Sequence, residues 1–170
     1  KLALRADQIQ LGDPMDESTQ MGPVICGTSL DRCKQFIKTA RTEGGQQISG
    51  LEPLQLDNEF AKGFYLRPTI FTDVKIDHTL FLEEVFGPVI SLTRVSSDEE
   101  AIACANAGDF GLGVSIWSRD IGRAHRLSKT IRGGVIWLND HHRNDPRSVW
   151  GGVKDSGFGK ENGWDALRAY

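Results

Sequence analysis

The densest run of side chains able to do chemistry is Asp140-His141-His142, followed closely by Arg143, Asn144, Asp145 and Arg147. Imidazole and carboxylate are ordinary ligands for zinc or iron. Adjacent histidines on one loop can point in different directions, however, and no third spaced ligand motif accompanies them, so a polar pocket wall stands as the alternative. The two arginines suit recognition of a carboxylate or phosphate, or simple solvation. Trp150 closes the stretch, between polar residues and Gly151-Gly152. No apolar stripe explains so large a side chain there. It reads as an aromatic pocket wall, sandwiching an apolar group or meeting a cation with its π face, against plain packing.

A second candidate is Glu83-Glu84, which ends the apolar Leu80 to Leu82 and runs at once into Phe86-Gly87-Pro88 and a strand. Adjacent like charges near a buried strand are unfavourable unless one finds donors, so one carboxylate suits a ligand's hydroxyls; the alternative is a solvated pair at a helix end. The glycine-rich Gly151 to Gly163 invites a phosphate-loop reading, but the spacing fails. Lys154 stands where a Walker A motif needs its first glycine, and Glu161 stands where it needs Ser or Thr. The last gap of Gly157, Gly159 and Gly163 is one residue too long for a dinucleotide fingerprint, and no strand precedes it. Tight turns supporting a neighbouring surface are expected instead. Cys26, Cys33 and Cys104 form no C-x-x-C pair and read as reduced packing residues, so neither a disulfide framework nor a zinc knuckle is indicated and no metal is assigned.

Positioning these residues requires a fold, and 170 residues with 39% hydrophobic and 25% charged content suffice for one domain. A chain of that size buries about 68–70% of its unfolded surface without staples. The net charge of −3 argues against a nucleic-acid partner. No apolar run approaches a membrane span, and the chain reads as cytoplasmic. Little regular structure is expected in the turn-rich first third before Thr28. From Thr28, the spacing of Leu30, Cys33, Ile37 and Ala40 predicts an amphipathic helix with Thr28 and Asp31 at capping-box spacing and Gly44-Gly45 as its stop. Residues 50–63 read as a surface loop or weak hairpin, and 64–74 as an edge strand, since Pro68 lacks a ladder donor. The second half alternates strand 89–95, helix 98–107, strand 114–117, helix 121–131 and strand 135–138, with Ser97 and Asp120 as caps. Right-handed crossovers then predict three parallel strands of an open α/β sheet. Ligands of such sheets bind beyond the carboxyl edge, which selects the segment from Asn139 to Trp150.

At this point a resemblance enters. Glu83-Glu84-Val85-Phe86-Gly87-Pro88-Val89 resembles the E-E-[IV]-F-G-P-V signature of the NAD(P)-dependent aldehyde dehydrogenase superfamily. Gly12-Asp13-Pro14, Met21-Gly22-Pro23-Val24, Arg67-Pro68-Thr69-Ile70-Phe71, Trp117-Ser118-Arg119-Asp120 and Trp150-Gly151-Gly152-Val153-Lys154-Asp155-Ser156-Gly157 agree in order and spacing. The likeness runs through essentially the whole chain. It implies a three-layer, open parallel-sheet catalytic domain, present in part over 1–170. It implies that Glu84 binds the nicotinamide-ribose hydroxyls of NAD or NADP, with Phe86 packing beside that ribose. It also implies that the substrate tunnel is lined by the segment carrying His142, Asn144 and Trp150, and that Glu161 matches a Glu used by some members for proton relay.

The family's nucleophilic Cys lies in a Q-x-C motif upstream of the G-D-P segment, and its general-base Glu lies further upstream; neither occurs in these 170 residues. The resemblance therefore implies a truncated chain that lacks the cofactor-binding domain and the oligomerisation tail and is inactive alone. The parent would oxidise a small-molecule aldehyde to a carboxylic acid through a Cys thioester, as a homo-oligomer when full length. The rival reading is a non-catalytic module of the same type that only binds or associates. A further alternative is an unrelated α/β binding domain.

Overall fold

The spacing of Leu30, Cys33, Ile37 and Ala40 produces helix α2 (Gly27–Thr42), whose Cys33 and Ala40 are fully buried. This is read from a computed structural model that describes residues 1–54, 56, 60 and 62–169. Within residues 50–63, read above as a loop or hairpin, positions 55, 57–59 and 61 lie outside the described residues. The helix ends as expected: Gly44 takes φ +95° and the Gly45 N–H donates to the Ala40 carbonyl at 2.8 Å. Its start differs from expectation. Cys26 is the N-cap and makes no side-chain capping bond, so Thr28 and Asp31 lie inside the helix rather than forming a capping box.

The chain divides into two compact units, Lys1–Arg94 and Val95–Tyr170. The first contains α1 (Leu2–Asp7), α2, β1 (Gln46–Gln47), β2 (Thr69–Thr72), α3 (Thr79–Leu82) and β3 (Val89–Ser91). Helix α1 corrects the expectation of an irregular start: Leu2 to Ala6 are mostly strong helix formers, and Asp7 accepts the Gly50 N–H at 2.8 Å. Strand β2 is central, antiparallel to β1 and parallel to β3, with Ile70 beside Ile90. The edge assignment is thus overturned. Pro68 precedes the first paired residue, so its missing N–H costs the ladder nothing. Thr69, Ile70 and Phe71 are buried, and Phe71 packs in a core with Cys33, Ala40, Val74, Leu80 and Val85. Burial of a side chain such as Phe71 contributes about 2–3 kcal/mol.

The second unit contains α4 (Asp98–Ala107), β4 (Phe110–Gly111), β5 (Gly113–Ile116), α5 (Ile121–Ser128), β6 (Val135–Leu138), β7 (Val153–Lys154) and α6 (Gly163–Ala169). Both predicted caps form: Ser97 accepts the Glu100 N–H and Asp120 the Arg123 N–H. The Glu100 carboxylate turns to Ser96 instead, accepting from its backbone N–H and hydroxyl, and these bonds hold its carboxyl below the usual range. Arg123 forks onto Asp98, joining the first turns of α4 and α5, and its hydrogen bonds likewise lower the Asp98 carboxyl.

Strands β5 and β6 are parallel, in register from Gly113 with Val135 to Ile116 with Leu138, while β4 and β7 are antiparallel. The single sheet of three parallel strands is therefore corrected to a mixed α/β arrangement. Strand β3 finds its ladder partner in β2, and β5 finds its own in β6.

Candidate functional site

Candidate residues occur in each unit. In the first, the turn carrying Glu84 and Phe86 is built outward from α2. Helix α3 is a single turn whose leading N–H, that of Thr79, donates to Glu43 Oε2 at 2.9 Å while the Thr79 hydroxyl donates to Oε1 at 2.5 Å. The acid at the end of α2 thus caps α3 in place of the α3 N-cap residue, His78. Glu83 ends α3 in extended conformation, as the helix-end reading expects.

Beyond it, Val85 is buried in the core, whereas Glu84 and Phe86 are exposed, Phe86 at 80%. Phe86 adopts φ +56°, a conformation that a bulky residue takes only when its surroundings impose it. Those surroundings are visible. A Cβ on Gly87 would lie 2.3 Å from Cys33 Sγ, so only glycine lets the turn press on α2. Arg32 Nη2 donates to the Glu84 carbonyl at 2.6 Å. Among the described residues no cation pairs with the Glu84 carboxylate.

In the second unit, the segment after β6 begins with a clamp. Asn139 Oδ1 accepts the Ser118 N–H at 2.8 Å, and its Nδ2 donates to the Ser118 carbonyl at 3.0 Å. These bonds tie together the chain leaving the carboxyl ends of parallel β5 and β6, the edge selected from the sequence. Four rings gather there: Trp137 lies with ring centroids 5.8 Å from both His141 and Trp150, and His142 lies edge-on to Trp150 at 6.1 Å. Trp137 Nε1 donates to the Arg143 carbonyl at 2.9 Å, and His141 Nδ1 is 2.8 Å from the Ser115 hydroxyl. Trp150 is half-buried, while His142 and Asn144 are exposed. Trp150 and Glu161 exchange backbone hydrogen bonds of 2.7 Å each, so the two expected site residues sit side by side on an isolated bridge.

Among the described residues no group of three or more His, Cys, Asp or Glu side chains is placed to hold a metal ion. Arg147 is not a free anion receptor either. Its guanidinium forks onto Asp145 at 3.1 Å through two bonds, which hold the Asp145 carboxyl below the usual range.

The glycine-rich tail builds turns: a Cβ on Gly134 would meet the Gly151 carbonyl at 1.7 Å, so two backbones cross there. Its Lys154 donates to the carbonyls of Asn106 and Gly108 at the end of α4, at 2.9 and 2.6 Å. The cysteines divide. Cys33 is buried, which pushes its thiol up; Cys26 is exposed, not a packing residue, and the Ser29 hydroxyl pulls its thiol down.

Trp137 and Arg32 are the participants that sequence reasoning missed. A signal for the first exists in Gly113, whose absent side chain leaves room for the indole: a Cβ there would lie 2.8 Å from Trp137 Cζ3. Arg32 looks like any helix-surface charge.

The aldehyde dehydrogenase family profile matches residues 1–170. A betaine aldehyde dehydrogenase of Cereibacter sphaeroides is 42% identical over 170 residues, all of this chain and 34% of that protein. One from Brucella anthropi is 40% identical, again over the whole chain and 35% of the relative. Among solved structures, betaine aldehyde dehydrogenase from Staphylococcus aureus in complex with NAD+ superposes with a TM-score of 0.93 at 34% identity, covering 99% of this chain and 33% of that one. The chain spans about a third of the length of these relatives.

Proposed function

We propose an oxidoreductase function on this premise: the chain belongs to the aldehyde dehydrogenase family. The protein carries out NAD(P)-dependent oxidation of an aldehyde to a carboxylic acid, and this segment supplies cofactor-positioning and substrate-facing parts. The observation that carries the reading is the Glu84–Phe86 turn, in which a buried Val85 is flanked by an exposed carboxylate and an exposed ring. A carboxylate accepts from both hydroxyls of a vicinal diol, and an aromatic edge beside it limits how a neighbouring ring swings, so the turn fits the nicotinamide ribose. The cofactor, when bound, supplies the hydride acceptor. Glu84 holds and orients it, and Phe86 restricts its movement.

Trp150, with His142 and Asn144, faces the substrate. The aromatic group formed with Trp137 suits a cationic head such as that of a betaine-type aldehyde, because π faces attract quaternary ammonium. Arg147 does not oppose this, since Asp145 neutralises it. Glu161, exposed and bridged to Trp150, is available for proton relay. The covalent step needs an accessible thiolate aimed at the aldehyde; the family's nucleophile lies in a Q-x-C segment that these 170 residues do not contain, so the polypeptide alone is expected to show no turnover. The test is aldehyde-dependent reduction of NAD(P)+ by the protein expressed from its intact gene, with wild type beside Glu84→Ala.

A further inference from the structure

We infer that Arg32, on the exposed face of α2, is a positioning residue for cofactor binding: it fixes the peptide that carries Glu84. The inference rests on the ribose-binding reading of Glu84 and concerns how that carboxylate is aimed.

Two contacts reach the turn from α2, and a third, within the helix, steadies the first. Arg32 Nη2 donates to the Glu84 carbonyl at 2.6 Å. The Arg32 guanidinium carbon lies 5.4 Å from the Phe36 ring centroid, one helical turn on, which holds the fork over that ring. Gly87 abuts Cys33, the next residue of the helix. The Glu84 carbonyl belongs to the peptide that leads into buried Val85 and then into Phe86 at φ +56°. Rotating that peptide would turn Val85 away from the core and re-aim Glu84 and Phe86 together. A charged donor on a carbonyl resists such rotation more strongly than a neutral one, and among the described residues Arg32 is the side chain that supplies it. Arg32 touches neither cofactor nor substrate in this account. It acts through the Glu84 peptide.

The experiment uses the protein expressed from its intact gene, with KM for NAD(P)+, kcat and Tm measured for Arg32→Met, Arg32→Lys, Glu84→Ala and Arg41→Met. Methionine keeps the apolar stem over Phe36 without a donor, and lysine restores one. Arg41, on the same helix and bonded to Gln47 of β1, controls for the general loss of a helix arginine. The expected result is a KM raised about fivefold in Arg32→Met with kcat within about twofold of wild type, as loss of one charge-assisted bond predicts for ground-state binding. Arg32→Lys recovers most of that loss, and Arg41→Met leaves KM unchanged. Should Arg32→Met not fold, Arg32→Ala takes its place.

A wild-type KM in Arg32→Met while Glu84→Ala raises it overturns the positioning role alone. Equal impairment of the methionine and lysine variants does the same, because packing rather than donation would then be at work. A wild-type KM in Glu84→Ala overturns the ribose reading and this inference with it.

Discussion

Trp150 is the residue on which the proposed substrate recognition turns. Its ring packs with those of Trp137 and His142, at centroid distances of 5.8 and 6.1 Å, and its backbone is bonded to Glu161. Replacing it by alanine removes one wall of the aromatic group without touching the Glu84 turn. Trp150→Ala is expected to lower kcat/KM for betaine-type aldehydes about tenfold, with KM for NAD(P)+ unchanged; unchanged specificity constants across a panel of aldehydes would remove Trp150 from the pocket. Glu84, Phe86 and Trp150 were marked as candidates in the sequence because their neighbours form contiguous motifs. Arg32 and Trp137 were not, since each meets its partner through tertiary structure: Arg32 reaches a carbonyl 52 residues away, and Trp137 gathers its rings only once the chain folds back after β6.

Elements explain why those residues are held. Helix α2 supports the Glu84–Phe86 turn, with Cys33 packed against Gly87. Gly87→Ala is expected to destabilise the protein by about 2 kcal/mol, because the added methyl overlaps Sγ. Combining it with Cys33→Ala, which removes that sulfur, should cost less than the two single changes added, read as Tm or denaturant midpoint; simple additivity would show that the contact is not what matters. In the second unit Lys154 caps α4 from β7. Lys154→Met keeps the stem but leaves two carbonyls without their charged donor, for an expected loss of roughly 2 kcal/mol.

Helices α1 and α6 went unread, but α4 and α5 were well marked in the sequence: α4 matches its predicted bounds and both caps form. Strand partners were not. A period-two pattern says which face is buried but not which ladder a strand joins, so β3 was assigned to the later strands although it pairs with β2. Pro68 misled for a related reason, because a proline one residue outside a strand looks the same in sequence as one at its edge.

At the scale of the molecule, the mixed α/β segment comprises two compact units, and the candidate residues divide between them, with Glu84 and Phe86 in the first and His142, Asn144, Trp150 and Glu161 in the second. Composition and net charge spoke only of one ordinary domain. No described helix is long and apolar enough to cross a membrane. Large apolar side chains nonetheless stand exposed, Phe158, Trp164 and Leu167 among them. The function rests on matching motifs and on the turn and aromatic group that those motifs build.

The most direct measurement is aldehyde-dependent reduction of NAD(P)+ by the protein expressed from its intact gene, wild type beside Glu84→Ala. The account predicts turnover by the wild type, and a KM for NAD(P)+ raised about tenfold in the variant as the charge-assisted bonds to the ribose are lost. Absence of aldehyde-dependent reduction would contradict the oxidoreductase reading, and a cofactor KM untouched by Glu84→Ala would contradict the role assigned to the turn.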